Sequence, residues 1–493
     1  MTEKSNLTRR NFIKTTGAAA AAGIISALPA VARENSSQRP NVVFIICDQM
    51  RGDAMGCMGN PNARTPNLDQ LAKDGILFEN AFANGPVCVP SRISIFSGQY
   101  PHQHGTLTNK PAKFIDKIDG SLLQHFHDHG YKIGWIGKNH TLTDSLINSL
   151  DTWIERKRES FRRYNKYVPP WWHSDMLWPT EECNAPRNTR DSIEFIKQCK
   201  SDQPFFLHIS YFDPHPAYFA PSEYVSKYCS RDIQLPEYVP PENLSERLAE
   251  HARAMHFDRI RDSDLTETMR YYHASVEWGV DHQVGRVIEA LKEQGLMDNT
   301  IVVFTSDHGD FMGQHRMVRK GEYLYDALLH VPMIWYAPGY IESGLRVPNL
   351  AQGVDIFPTL VDLAGGAPDE NLSGRSLKPF LTGEPREEPE YTIFASTAYS
   401  ELPPNYFEDP EPFIPPKEED PFHSRVQNLV SRPKQRCAMA RTRDWKLILN
   451  ENRPPELYHM NGGWIERKNV ADNKEFAAIR GKLENRIRET WAW

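Results

Sequence analysis

Between residues 40 and 310, four short runs of apolar, β-branched and aromatic residues each end in a cluster of polar side chains. Val42-Val43-Phe44-Ile45-Ile46-Cys47 gives way to Asp48-Gln49, and Tyr131 to Gly137 gives way to Lys138-Asn139-His140. Phe205 to Ser210 leads to Asp213-Pro214-His215, and Thr300 to Thr305 leads to Ser306-Asp307-His308-Gly309. Helical patterns separate the runs, an alternation that predicts an α/β protein with a mostly parallel sheet. In open sheets of this class ligands bind beyond the carboxyl ends of the strands, so the four polar clusters are expected to converge. The helices read as scaffold. Val276, Val280, Val284, Ile288 and Leu291 form a buried stripe that Gly295 stops, and Asn67 is expected to cap a short helix carrying Leu68, Leu71 and Ala72.

Beyond about residue 385 the texture changes. Residues 402–420 are rich in proline and acid and read as a long loop. Ala438 to Thr442 and Trp445 to Leu449 read as a strand pair turning at Arg443-Asp444, followed by a short strand at Leu457-Tyr458-His459 and a helix over 473–491. The expected architecture is α/β, a large mixed, mostly parallel sheet sandwiched by helices. A smaller C-terminal α+β subdomain with an antiparallel sheet follows. The expected division is 33–385 for the main domain and 386–493 for the subdomain.

Composition narrows the class further. The chain has 493 residues, 40% hydrophobic and 25% charged, which excludes disorder, collagen and coiled coil. No apolar run reaches the roughly 18–20 residues a membrane span needs. A formal charge of −7 argues against nucleic-acid binding, and 7 cysteines at irregular spacings do not make a disulfide framework. With 11 Trp, 19 Tyr and 23 Phe, an aromatic-lined cleft is expected. The N-terminus stands apart. Thr8-Arg9-Arg10-Asn11-Phe12-Ile13-Lys14 precedes a weakly apolar Ala/Gly stretch, and Ala30-Val31-Ala32 offers a small-residue cleavage site. Residues 1–32 resemble a twin-arginine signal, the address of an export machinery that carries proteins already folded. Its removal takes four basic residues and one acidic one and implies a periplasmic or secreted protein.

The most specific segment is Cys88-Val89-Pro90-Ser91-Arg92, continued by Ser97-Gly98, Tyr100-Pro101 and His104-Gly105. Pro90 fits the first turn of a helix, which places Cys88 where the positive end of the helix dipole favours an anion. Arg92, one turn along, can point back at the same spot.

With this motif and the four strand ends, the sequence resembles the type I sulfatases of the alkaline-phosphatase superfamily from about Asn41 to the C-terminus. That resemblance implies oxidation of Cys88 to formylglycine (3-oxoalanine), whose hydrated aldehyde is the nucleophile. It implies a metal site of Asp48, Gln49, Cys88, Asp307 and His308, with Gln49 standing where the family usually has a second Asp. The oxygen-rich set suits Ca2+, with Mg2+ as the alternative. Cys47, beside the site, reads as strand packing. Lys138 and His140 match the family's G-K-x-H element, Lys138 contacting a substrate oxygen and the nucleophile and His140 orienting or deprotonating the diol. His215 matches the residue that protonates the leaving alcohol, and Lys320 the lysine that binds the sulfate group. Arg92, Lys138 and Lys320 supply fixed positive charge. The partners implied are a sulfated carbohydrate, the twin-arginine export machinery, and a formylglycine-generating or sulfatase-maturating enzyme.

Substrate class rests on less. Arg156, Lys157, Arg158, Arg162, Arg163 and Lys166 precede Trp171, Trp172 and Trp178. In a chain of net negative charge such a cluster can hold a polyanion, and indole faces stack on sugar rings. Arg162, Arg163, Trp171 and Trp172 are therefore candidate substrate contacts, with a solvated helix face as the plainer reading. A carbohydrate sulfate, polysaccharide or oligosaccharide, is favoured over choline or aryl sulfates. The alternatives are a phosphodiesterase or phosphonate monoester hydrolase of the same superfamily and a non-catalytic glycan-binding protein.

Overall fold

The computed structural model describes residues 39–109, 120–143, 146, 150–156, 173–175, 180–199, 202–255, 257–384, 390–401 and 434–491. The signal at 1–32, the expected loop at 402–420, and Arg162, Arg163, Trp171 and Trp172 lie outside them. Residues Asn35–Trp493 form one compact unit.

The strands are β1 (Asn41–Asp48), β2 (Ile76–Phe82), β3 (Lys132–Gly137), β4 (Thr152–Glu155), β5 (His173–Asp175), β6 (Phe205–Pro214), β7 (Tyr218–Ala220), β8 (Thr300–Ser306), β9 (Met333–Tyr336) and β10 (Leu345–Gln352). Eight of them make one sheet in the order β10-β2-β9-β8-β1-β6-β3-β4, while β5 and β7 pair separately. Within the large sheet β9 runs antiparallel to both neighbours and every other pairing is parallel. The expected mixed, mostly parallel sheet is present. Residues 41–48 and 300–306 are buried throughout, because helices cover both faces of the central strands.

The helices that matter below are α1 (Pro66–Asp74), α2 (Cys88–Ser97), α3 (Asn184–Gln198), α4 (Asp262–Val276), α5 (His282–Glu293) and α6 (Ala477–Thr490). The stripe from Val276 to Leu291 is not one helix: a π-turn at Glu277–Asp281 joins α4 to α5. Gly295, with φ of 65°, ends the pattern in the left-handed conformation that glycine allows at least cost. Asn67 does not cap α1, whose N-cap is Thr65. Instead Asn67 Nδ2 donates to Asp281 Oδ2 at 2.7 Å, and the Leu68 N–H donates to Asp281 Oδ1 at 2.8 Å. The start of α1 is satisfied from across the fold rather than locally.

The C-terminal strands β11 (Ile393–Ser400), β12 (Lys434–Arg441), β13 (Trp445–Asn450) and β14 (Arg453–His459) form a four-stranded antiparallel sheet in that order. Leu483 and Ile487 of α6 pack on Ala438, Ala440, Leu447 and Leu449. A buried ionic cluster joins this sheet to the main body. Lys446 Nζ lies 2.6 Å from both Asp326 Oδ1 and Glu466 Oε1, and Arg441 Nε lies 2.8 Å from Asp326 Oδ2.

Candidate active site

The four strand ends meet. β1 ends on Asp48, and β8, hydrogen-bonded beside it, delivers Asp307 and His308 immediately past its last residue. β6 lies on the other side of β1, with β3 next, so His215 and Lys138 reach the same edge. Helix α2 enters from β2 and starts at Cys88. Ligand atoms of Asp48, Cys88, Asp307 and His308 all lie within 4.8 Å of one another, and all four residues are buried.

Cys88 is the centre of the cluster. Its Sγ is 3.4 Å from Asp48 Oδ1, 3.3 Å from His308 Nε2 and 2.7 Å from Lys320 Nζ. Burial and the Asp48 carboxylate push the thiol up, but Lys138, Lys320 and His308 outweigh them and hold it well below its ordinary value. The first turn of α2 is fixed from outside: the Val89 N–H donates to Asn109 Oδ1 at 3.0 Å, and Ser91 Oγ donates to the Asp307 carbonyl at 2.5 Å.

Around the cysteine, charges alternate. Lys138 Nζ donates to Asp48 Oδ2. Burial opposes ionisation of Asp48, yet Lys138, then His215, Lys320 and Arg92, hold its carboxyl well below the usual carboxylate range. Arg92 is fully buried and does not turn its whole fork to Cys88: Nε donates to Asp307 Oδ2 at 2.7 Å and Nη1 to Ser210 Oγ at 2.7 Å. Its Nη2 has no partner among the described residues. His308 Nδ1 lies 2.8 Å from the Gly309 carbonyl, which orients Nε2 toward Cys88. His140 faces Cys88, and burial followed by Lys138 lowers its pKa. His215, half-buried, lies 2.7 Å through Nδ1 from the Pro216 carbonyl. Cys47 packs as expected, donating from Sγ to the Thr305 carbonyl at 3.4 Å.

Every expected residue of the catalytic and metal core among 48–320 is thus at this edge. Gln49 is at it too, with its N–H 3.1 Å from Asp307 Oδ1 and its side-chain Nε2 2.6 Å from Asp310 Oδ2. Of the basic, aromatic stretch only Arg156 is described, and it pairs with Asp191 on α3. Sequence reasoning missed Asp310, Ser210, Asn109 and Arg51. Asp310 follows the Ser306-Asp307-His308-Gly309 run directly and was visible as one more acid at a strand end. The others act through partners far along the chain. Arg51 anchors the loop between β8 and Lys320, donating to the carbonyls of Asp310 at 3.1 Å and Phe311 at 2.9 Å.

Comparison with known proteins agrees with this geometry. A model of the sulfatase family matches residues 40–367, and one of the twin-arginine translocation signal matches residues 6–26. A protein of Escherichia coli K12, the uncharacterized sulfatase YidJ, is 28% identical over 470 residues, covering 91% of this chain and 86% of its own. An ulvan-active sulfatase of Formosa agariphila is 27% identical over 468 residues, covering 93% and 80%. Among solved structures, the phosphonate monoester hydrolase of Silicibacter pomeroyi superposes with a TM-score of 0.73 at 24% identity, covering 92% of this chain and 95% of that one. At that identity the likeness speaks for the fold. With two thirds of its length matched by the family model, the chain belongs to the sulfatase family of the alkaline-phosphatase superfamily, sulfuric ester hydrolases, and carries a signal for export across the cytoplasmic membrane.

Proposed function

We propose that this sulfatase hydrolyses a carbohydrate sulfate ester, on a polysaccharide or oligosaccharide, in the periplasm or outside the cell. Cys88 would carry the nucleophile as formylglycine, after a formylglycine-generating or sulfatase-maturating enzyme has acted on it. The observation that carries the reading is the convergence of Asp48, Asp307 and His308 on Cys88, with Lys320 Nζ 2.7 Å from its Sγ.

The residues present fit a hard divalent cation. Two buried carboxylates and a histidine nitrogen face one point, and Gln49 Oε1 is a buried oxygen with no hydrogen-bond partner among the described residues. Asp48, Gln49, Asp307 and His308 would hold Ca2+, with Mg2+ the alternative. When bound, the cation supplies Lewis-acid polarisation of the sulfate oxygens. Converted Cys88 supplies a hydrated aldehyde, whose second hydroxyl lets a covalent sulfate be expelled where a serine could not.

The chain's own residues do the rest. Lys138 and Lys320 place fixed positive charge on two sides of the nucleophile, where charge builds up in the transition state. Arg92 keeps Asp307 in place through Nε, and its Nη2 is the donor left to meet a sulfate oxygen. His215 protonates the departing sugar oxygen, a contribution of about 10²–10⁴-fold. His140, kept neutral by burial and Lys138, takes the proton that frees the second hydroxyl. The candidate contacts Arg162, Arg163, Trp171 and Trp172 would bind the sugar chain.

The fold is shared with a phosphonate monoester hydrolase, so the deciding experiment pairs the two chemistries. Mature protein is incubated with a panel of sulfated oligosaccharides and with a phosphonate monoester, and kcat/KM is compared. Sulfate release from a glycan at the higher kcat/KM is expected. Preference for the phosphonate overturns the reading.

A further inference from the structure

Asp310 is fully buried and engaged on both oxygens. Oδ1 accepts the N–H groups of Met312 and Arg319, each at 2.8 Å. Oδ2 accepts Gln49 Nε2 at 2.6 Å and the Tyr218 hydroxyl at 2.7 Å. An ionised carboxylate has about four lone-pair sites and nothing to donate, and four donors fill them. The end of the Gln49 amide that faces it must therefore be NH2, which settles the orientation of a group whose two ends look alike.

Oε1 is the end left over. It is buried without a partner among the described residues, a situation that costs free energy for an ordinary buried carbonyl. Gln49 follows Asp48, its N–H is held by Asp307 Oδ1 at 3.1 Å, and its φ is 70°. A left-handed glutamine, clamped on both sides by the acids of the site, is a strained conformation that its surroundings must hold in place.

We propose that Asp310 is a positioning residue of the cation site: by gripping the NH2 end of Gln49 it presents Oε1 as a neutral ligand. The negative charge absent from position 49 is thereby supplied one hydrogen bond further out, where it polarises the amide and raises the donor strength of its oxygen. The inference rests on the reading of Asp48, Asp307 and His308 as cation ligands, and the test separates the two.

Ca2+ itself is the probe, its Kd measured by calorimetry on full-length mature protein. Asp310→Asn brings a second NH2 against Gln49, so the glutamine amide must turn over and Oε1 leaves the site. Affinity for Ca2+ should fall about 10–100-fold, the usual effect of losing an outer-shell partner. Gln49→Ala should fall at least as far, and Gln49→Ala with Asp310→Asn no further. If Asp310→Asn binds as wild type, or the double variant loses the product of the single losses, the inference is overturned while the site stands. If Asp48→Ala leaves Ca2+ binding unchanged, the cation site itself is misassigned and the inference falls with it. Should Asp310→Asn fail to fold, the swap Gln49→Glu with Asp310→Asn decides. It restores one donor against one acceptor, so folding with Ca2+ affinity within tenfold of wild type supports the assignment. A swap that binds no better than Asp48→Ala overturns it.

Discussion

Around position 88 the charges decide what one side chain can do: Lys138, Lys320 and His308 outweigh burial and Asp48 and hold the Cys88 thiol well below its ordinary value. Cys88, Lys138 and His308 could be read because each sits in a short motif or at the end of an apolar run, and the sheet does the gathering. Ser210 and Arg51 could not, because each acts through a partner far along the chain: Ser210 through Arg92 on α2, and Arg51 through the carbonyls of Asp310 and Phe311. Two outcomes test the legible set. Cys88→Ser should abolish turnover while far-UV circular dichroism and melting stay near wild type. Peptide mass spectrometry of active protein should show position 88 lighter by the difference between a CH2SH and a CHO group. Retained activity in Cys88→Ser refutes the aldehyde. His215→Ala should cost about 10²–10⁴-fold in kcat/KM on a sulfated sugar, whose alkoxide needs a proton, and far less on an activated aryl sulfate. Lys320→Ala, by contrast, should weaken both substrates alike.

At the level of elements, the sheet's central strands and the β12–β13 pair follow from apolar runs. The reversed strand β9 and the split between α4 and α5 do not. A stripe of valines at i, i+4 spacing fits a continuous helix equally well, and only the tertiary placement of Asp281 shows where the π-turn falls. That aspartate makes a pH prediction. Burial pushes its carboxyl up to about 7, against hydrogen bonds from Leu68 and Asn67 that pull it down. With an unfolded value near 3.8, the native state keeps the proton longer than the unfolded chain does. Stability from this group is therefore full below about pH 4 and is lost as pH rises toward 7. Asp281→Asn should remove the slope, so its stability relative to wild type should rise between pH 5 and 8 by about 2–3 kcal/mol in urea unfolding. The loop that returns Lys320 to Cys88 makes another. Met312, His315, Arg316 and Arg319 all have positive φ, which costs L-residues about 1–2 kcal/mol each unless the surroundings hold them. Arg51 is that hold, so Arg51→Ala should speed tryptic cleavage between Arg316 and Lys320 and lower kcat/KM about 10–100-fold.

For the molecule as a whole, the sequence announced two textures but not how they are joined. Lys446, Asp326, Glu466 and Arg441 are scattered charges in the sequence and a buried cluster in the fold. Removing one member of such a cluster strands the others without water. Lys446→Met should therefore cost about 3–5 kcal/mol in denaturant unfolding, while an exposed pair such as Arg488–Glu484 should contribute at most about 1 kcal/mol. The burial of α2 has a consequence of another kind, one of timing. Every residue from Cys88 to Phe96 is buried, so in the proposed function an enzyme that converts Cys88 would have to grip the chain on either side of it. That grip is available only before the fold closes, and the export route announced by the N-terminus takes chains that have already closed. Under the proposed function, activation would thus fall in a single interval, in the cytoplasm, between synthesis and folding. A copy that folded first would then cross the cytoplasmic membrane complete and inert, with its cysteine unconverted.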